Sequence, residues 1–452
     1  MHGIDRERIR SLKDREDARF VDEHPRSAGL RDRAAGSMPN GVPMQWFATS
    51  YAHRPMWVAR GHGASFTDVD GRSYVDFNIA DMSGFCGYAP EPIVRAVSER
   101  VASGTQFLLP TEDSVVVAEE LGRRWSLPKW QFTLSASQAN VEAIRVARVA
   151  TGRHGVLMFE GKYHGHFDEA LVELQDGRVV PEELGLPHGV TEQTRVVPFN
   201  DVDALARALG TRDVALVLCE PAMTNNHGLI LPDDRFHPEL RRITRETGTL
   251  LAFDETHTLV TGPGGLVGRW GLEPDIVTLG KSVAGGIPMG AYGMTETVAA
   301  VFAHADHPDD REEAPTVATG GTLFANALTM AASRAALLEV LTDGAYEYAA
   351  RLGERLADGL DAVVSKAGLG WTIHRLYARS GTTFGPSMPR SAAEAAASED
   401  RLLTNLFRVY LANRGVWEAI PGAGPTVPVA ATSDDVDRYV DAYGSLVDEL
   451  TV

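Results

Sequence analysis

Apolar residues recur along this chain at two spacings, and the spacing changes with position. Short unbroken runs at 156–159, 214–219, 250–253 and 276–279 predict buried strands. Between them, apolar positions three and four apart predict amphipathic helices at 91–103, 114–125, 201–209 and 235–247. Val115, Ala118 and Leu121 mark the inner face of the second, and Leu240 and Ile243 that of the fourth. A further strand at 132–134 leads into a helix through residue 150. Strands alternating with helices predict a mostly parallel sheet covered on both faces.

The two ends of the chain follow other rules. Residues 4–36 mix Arg, Asp and Glu with scattered apolar positions and predict one or two exposed helices, either packed on a partner subunit or loosely attached. A Pro/Gly/Asn turn follows at 38–41. Two runs at 64–68 and 73–77, joined across Asp70-Gly71, predict a hairpin. After Asn326 the pattern predicts long helices at 327–342 and 345–366, strands across 371–383, a helix over 392–414, a strand at 426–430 and a last helix at 433–450. No internal repeat or low-complexity segment is present.

Composition narrows the class. The 452 residues suffice for one large domain and a smaller one. With 44% hydrophobic and 23% charged residues, the chain reads as an ordinary soluble globular protein. The net charge of −18, with no basic run, argues against nucleic acid as a partner. No apolar run approaches the ~20 residues that span a bilayer. The first 17 residues carry charges of both signs and read as neither signal nor transit peptide. Cys86 and Cys219 lie in no CxxC motif, so no disulfide framework is implied, and Cys219 ends an apolar run as a packed thiol. These features predict a cytoplasmic protein without a membrane partner.

The chemistry concentrates in residues 250–286. One predicted strand ends in Asp254, and the next runs through Gly280 into Lys281. In open α/β sheets ligands sit beyond the carboxyl ends of strands. An acid and an amine would therefore face one crevice. A buried lysine there is either half of a structural ion pair or a Schiff-base nucleophile. In pyridoxal phosphate (PLP) enzymes an Asp or Arg partner on the pyridine nitrogen belongs to the binding pattern.

The surrounding residues, DETHTLVTGPGGLVGRWGLEPDIVTLGKSVAGGIPMGAYG, resemble the signature of class III aminotransferases, and within them the subgroup similar to glutamate-1-semialdehyde aminomutase. The resemblance runs from about residue 38 to the C-terminus. It implies an α/β protein of PLP fold-type I: a large domain with a mostly parallel sheet sandwiched by helices, and a small α+β domain formed by both termini. On this chain the resemblance assigns 1–77 to the N-terminal helix and meander of the small domain, 78–326 to the PLP-binding domain, and 327–452 to the rest of the small domain.

Site residues carry over one at a time. Ser135, Ala136 and Ser137 follow a strand and open a helix, where free N–H groups attract a phosphate. In isolation they read equally as an ordinary N-cap. Relatives carry Ser-Gly-Thr-Glu-Ala at this point, and their glycine and threonine contact the cofactor phosphate. The resemblance gives those places to Ala136 and Ser137, with Gln138 replacing the glutamate. Tyr163 takes the place of an aromatic residue stacked on the pyridine ring, with His164 beside it among the cofactor residues. His164 and His166 lack a third ligand at suitable spacing, so no metal is expected. Glu220 would lie near the ring edge, and Asn225 in the following loop would line the same crevice. Asp254 pairs with the pyridine nitrogen. Thr256 stands where the family has valine, and its hydroxyl either reaches the ring's phenolic oxygen or caps a loop. His257, unusual for the family, receives no role. Lys281 forms the internal aldimine and then moves the Cα proton. Thr322, in a Gly-Thr-Leu segment, would reach the phosphate of the neighbouring subunit's cofactor, which requires at least a homodimer.

The predicted activity is a two-stage, ping-pong transfer of an amino group from an amine or amino acid to a keto acid or other carbonyl acceptor. By alignment Trp46 occupies the place of a carboxylate-binding arginine, and residues 42–47 contain none. Trp46, Met44, Phe47, Phe85 and Tyr88 would instead form an apolar pocket for a bulky or apolar substrate, β-amino acids included. Arg375 or Arg379 would supply any carboxylate partner. An aminomutase, a PLP-dependent lyase and a cofactor-free binding protein are the competing functions.

Overall fold

The computed structural model describes residues 4–49, 55–182, 184–187, 189–224, 228–302, 317–418 and 424–451. Its centre is a seven-stranded sheet in the spatial order Lys129–Thr133, Gly290–Met294, Ile276–Leu279, Leu250–Asp254, Val214–Cys219, Gly155–Phe159 and Thr194–Val197. Gly290–Met294 runs antiparallel to both neighbours, and the other pairings of the sheet are parallel. The parallel strands are apolar because both faces are covered. Every residue of Val214–Cys219 is buried. Helix Ala136–Thr151 covers one face through Ala139, Ala143 and Ala147. Helices Glu112–Trp125 and Phe236–Thr247 pack into the core of the other through Leu121, Leu240 and Ile243.

Gly290–Met294 had no signature in the pattern, because a GAYGM segment lacks the β-branched residues that mark strands. Gly293 is required there. A Cβ at that position would lie 2.5 Å from the Trp130 ring of the adjacent strand.

The two ends of the chain share one core. Ile9 and Leu12 of helix Arg6–Asp22 pack with Val75 and Phe77 of the meander and with Leu356, Leu406 and Tyr443 of the C-terminal region. The N-terminal helix is therefore neither loosely attached nor left free for a partner over this face. Arg15 reinforces it with an ion pair to Glu449 at 2.8 Å. The hairpin across Asp70-Gly71 is present as Ser65–Asp68 and Ser73–Asp76.

Two C-terminal expectations are corrected. The single helix over 392–414 is two, Ala392–Ser398 and Arg401–Ala412. Glu399 is extended, and Asp400 restarts the chain as an N-cap, accepting the Leu403 N–H at 3.1 Å. The strand at 426–430 is absent, apart from an isolated bridge between Thr426 and Arg379. Pro425 and Pro428 lack the N–H groups a ladder needs. No helix among the described residues is long and apolar enough to cross a membrane, and both cysteines are buried and unpaired.

Candidate active site

Asp254 ends its strand opposite Thr278 of the next. Three residues on, Lys281 begins a short helical turn, with φ of 51°. The two side chains line one cleft of about 240 Å³. The acid and the amine thus share a single opening beyond the strand ends, as their spacing predicts.

Both carboxylate oxygens of Asp254 are bonded. Oδ2 accepts from Asn140 Nδ2 at 2.9 Å and meets His164 Nδ1 at 2.9 Å, while Oδ1 accepts the Thr256 N–H at 3.0 Å. Burial alone would push the pKa of this carboxyl up. The hydrogen bond and charge of His164, with Thr256 and Asn140, outweigh it and hold the group at about 2. Asn140 also donates to the His164 carbonyl at 2.7 Å and accepts from Thr278 Oγ1 at 2.6 Å. Sequence reasoning passed over Asn140. Its signal was an amide on the apolar face of a helix, one residue from Ala139 and three from Ala143.

The helix N-terminus forms the floor. Ser135 caps it, its hydroxyl accepting the Gln138 N–H at 3.3 Å, so the N-cap alternative holds for this side chain. Ala136 packs against Gly280, where a Cβ would come within 2.8 Å of the alanine methyl. Ser137 accepts the His166 N–H at 3.0 Å. Gly165, at φ 105°, permits that approach, since a Cβ there would sit 2.1 Å from Ser137 Oγ. All three residues of 135–137 line the cleft.

Tyr163 stands over it, its N–H donating to Glu220 Oε1 at 3.2 Å and its ring 5.7 Å from that of Trp46. Glu220 is buried behind Tyr163 and His257, 3.5 Å from His257 Nδ1, and does not itself line the cleft. His257, given no role from sequence, lines it. Trp46 lines the mouth. Phe85 does not: it is fully buried in the core against Tyr346. Tyr88 lines a separate apolar cavity with Phe47 and Asp76, so neither residue belongs to the pocket proposed for it. Asn225 lies outside the described residues. Arg375 is held at the surface by Glu354 and Asp358 at 2.8 Å each, and Arg379 is buried without lining the cleft. Thr322 is exposed away from its own chain's cleft, its carbonyl accepting from Gln106 Nε2. The residue opposite Lys281 is Asp81, which pairs with Nζ and was not anticipated.

Two buried polar atoms of this site, His164 Nε2 and Thr256 Oγ1, have no partner among the described residues. With a depressed carboxyl, a lysine and a helix N-terminus around the same space, the residues fit a protonated heteroaromatic ring carrying a phosphate and a carbonyl.

A mixed sheet with this acid and amine at adjacent strand ends defines the class as a PLP enzyme of fold type I, and solved relatives share that architecture. The chain belongs to the family described as aminotransferase class-III, whose model matches residues 46–417. It is similar to glutamate-1-semialdehyde 2,1-aminomutase 2 of Halalkalibacterium halodurans, 33% identical over 429 residues that cover 92% of this chain and 96% of that one. A glutamate-1-semialdehyde-aminomutase of Pseudomonas aeruginosa, solved in complex with PMP, is similar at a TM-score of 0.94 and 37% identity, covering 99% of this chain and 100% of that one. A β-phenylalanine aminotransferase of Variovorax paradoxus gives a TM-score of 0.86 at 29% identity, with 97% of each chain covered. The expected family, fold type and cofactor are borne out: the chain is a PLP-dependent transaminase of class III.

Proposed function

We propose that this enzyme transfers the amino group of a bulky or apolar amine or amino acid to a keto acid or another carbonyl acceptor, in two half-reactions. The observation that carries the proposal is the make-up of the cleft. Trp46, Leu134, Tyr163, Ile287 and Met289 give it apolar walls, and no arginine lines it among the described residues. A carboxylate clamp would need such a fork.

PLP, when bound, supplies the electron sink for the transfer. Asp254 would hold its ring nitrogen protonated, since a carboxyl with a pKa of about 2 stays charged throughout the working range. Tyr163 would stack on the ring, with His164 and Thr256 presenting their free polar atoms to it. The N–H groups at 135–137 would hold the phosphate. Glu220 fixes Tyr163 and His257 from behind. Lys281 Nζ would carry the cofactor and later move the proton at the substrate's Cα. Gly285 and Gly286, at φ 61° and 92°, let the backbone turn beside it.

The active unit is a homodimer in this proposal, with Thr322 reaching the neighbouring subunit's cofactor. An exposed apolar patch supports it: Phe107, Leu108, Leu109 and Leu323 are 48%, 72%, 71% and 52% exposed beside Thr322. The protein would act in the cytoplasm, to which two unpaired thiols are suited.

A second function, the internal amino exchange of an aminomutase, is supported by the names of the similar proteins. One experiment separates them. Purified enzyme is mixed with an amine donor alone, and loss of the yellow band with release of a free carbonyl product is followed. Stoichiometric bleaching that a keto acid reverses supports the transaminase. Turnover of a single amino-aldehyde with no acceptor supports the aminomutase, and ammonia release supports a lyase.

A further inference from the structure

Asp81 is delivered to the cleft by an unusual piece of backbone. Ile79, Ala80, Asp81 and Met82 have φ of 44°, 49°, 53° and 65°, four consecutive non-glycine residues in the left-handed region. Each such residue is disfavoured by roughly 1–2 kcal/mol. Strain of this kind persists where the surroundings enforce it, and it clusters at functional sites.

The enforcement is visible. Asp76 Oδ1 accepts the N–H groups of Asn78 at 2.8 Å and Ile79 at 2.6 Å. The Met82 N–H donates to the Asn78 carbonyl at 3.2 Å, and Ile79 and Met82 are 1% and 2% exposed. Between these anchors the turn sends one charged side chain, Asp81, to the cleft.

There it pairs with Lys281. That pair does not account for the strain by itself, because Lys281 gives up its ammonium when it carries the cofactor. The other groups around Asp81 are His257 within the cleft, Tyr163 above it, and Arg379 behind. Burial would raise the Asp81 pKa, but the Lys281 ammonium first, then His257 and Arg379, bring it down to about 2, so beside an ammonium group the side chain is a carboxylate. Arg379 forms no ion pair within 4 Å among the described residues, and its charge is also shared with Glu220 and Glu418. Asp254 is taken up by His164, Asn140 and Thr256. Once Lys281 is engaged, Asp81 keeps no ion pair within 4 Å among the described residues.

We propose that Asp81 is the docking residue for the substrate's ammonium group, binding the incoming R–NH₃⁺ in the place that the Lys281 ammonium vacates. This inference rests on the transaminase function proposed above. Asp81 is then a specificity determinant. It favours amines whose reacting carbon bears no carboxylate, because a substrate carboxylate beside it would be repelled.

The test compares wild type with Asp81→Asn, which removes the charge while asparagine tolerates the left-handed conformation. In stopped-flow half-reactions of the holoenzyme, the apparent Kd for 1-phenylethylamine should rise about ten- to a hundredfold in the variant. The half-reaction with pyruvate should change far less than the amine half-reaction, and the preference for 1-phenylethylamine over 2-phenylglycine, whose reacting carbon bears a carboxylate, should shrink. An unaltered amine Kd, or equal weakening of amine and pyruvate, overturns the proposal. A cofactor-free arm is independent of turnover. Propylammonium chloride is titrated by NMR into Lys281→Ala and into Lys281→Ala/Asp81→Asn. Saturable binding to the first that is lost in the second supports docking, and no binding to the first overturns it. Failure of wild type to take up PLP would instead remove the transaminase function, and the propylammonium arm would still decide the role of Asp81.

Discussion

The two walls of the cleft are built by opposite means. On the Asp254 side, right-handed helix and parallel strand meet, and each oxygen of the carboxylate is bonded. On the Asp81 side, a left-handed turn is held open by Asp76 and two buried apolar anchors. The first wall is what its own residues favour locally. The second exists because tertiary contacts override local preference. Such an arrangement suits a cleft in which one wall holds the cofactor rigidly and the other faces the substrate.

The contrast fails outright if the two walls do not face a common reaction, so Lys281, which lies between them, gives the largest expected effect. Lys281→Ala should lower turnover by about 10⁴-fold or more and abolish borohydride trapping of PLP on the chain. Mass spectrometry of the reduced protein checks the second point. Full turnover by the variant would refute the assignment.

A smaller effect separates the walls by pH. Asp254 is held near 2 against an ordinary 3.8, by His164 above all against the opposing push of burial. Its folded form therefore prefers the ionised state. The stability it contributes is present above about pH 4 and disappears as pH falls through 2, on the order of 2 kcal/mol in all. Asp76 is pushed the other way, to about 6, because burial outweighs the hydrogen bonds from Tyr88, Ile79 and Asn78. It prefers the proton in the folded state. Its contribution is complete below pH 3.8 and is lost as pH rises through 6, on the order of 3 kcal/mol. Urea unfolding of wild type and Asp76→Asn between pH 4 and 7.5 should show the slope of wild type reduced in the variant. Equal slopes would mean that the turn wall carries no protonation strain.

The same division explains what could be foreseen. Asp254 and Lys281 were legible because each closes a short apolar run, and run, glycine and charge are all local features. Ser135 at a helix start was legible for the same reason, although its hydroxyl serves the cap. Asn140 was visible in principle as a polar residue on an apolar face. The turn at 79–82 was not. Ile-Ala-Asp-Met contains no glycine or asparagine, and a lone aspartate, which enters the left-handed region as a single residue, does not announce four in a row. Phe85 and Tyr88 were assigned to the pocket as aromatic residues, yet Phe85 is buried in the core and Tyr88 lines a different cavity. The strand Gly290–Met294 owes its place to its neighbours, with Trp130 lying over Gly293.

The smallest effect is also the sharpest, because one substitution type should change sign between the walls. Ala80 is exposed, with φ 49°, and lies in the strained turn. Glycine there removes the left-handed penalty and costs unfolded-chain entropy, which leaves a net gain of up to about 1 kcal/mol. Ala143 is fully buried in the interior of helix Ala136–Thr151. Glycine there forfeits helix propensity and a packed methyl, a loss of about 1–2 kcal/mol. Urea midpoints of Ala80→Gly and Ala143→Gly should therefore move in opposite directions from wild type. If both fall, the turn at 79–82 is relaxed in solution, and strain can no longer explain why that backbone presents Asp81 to the cleft.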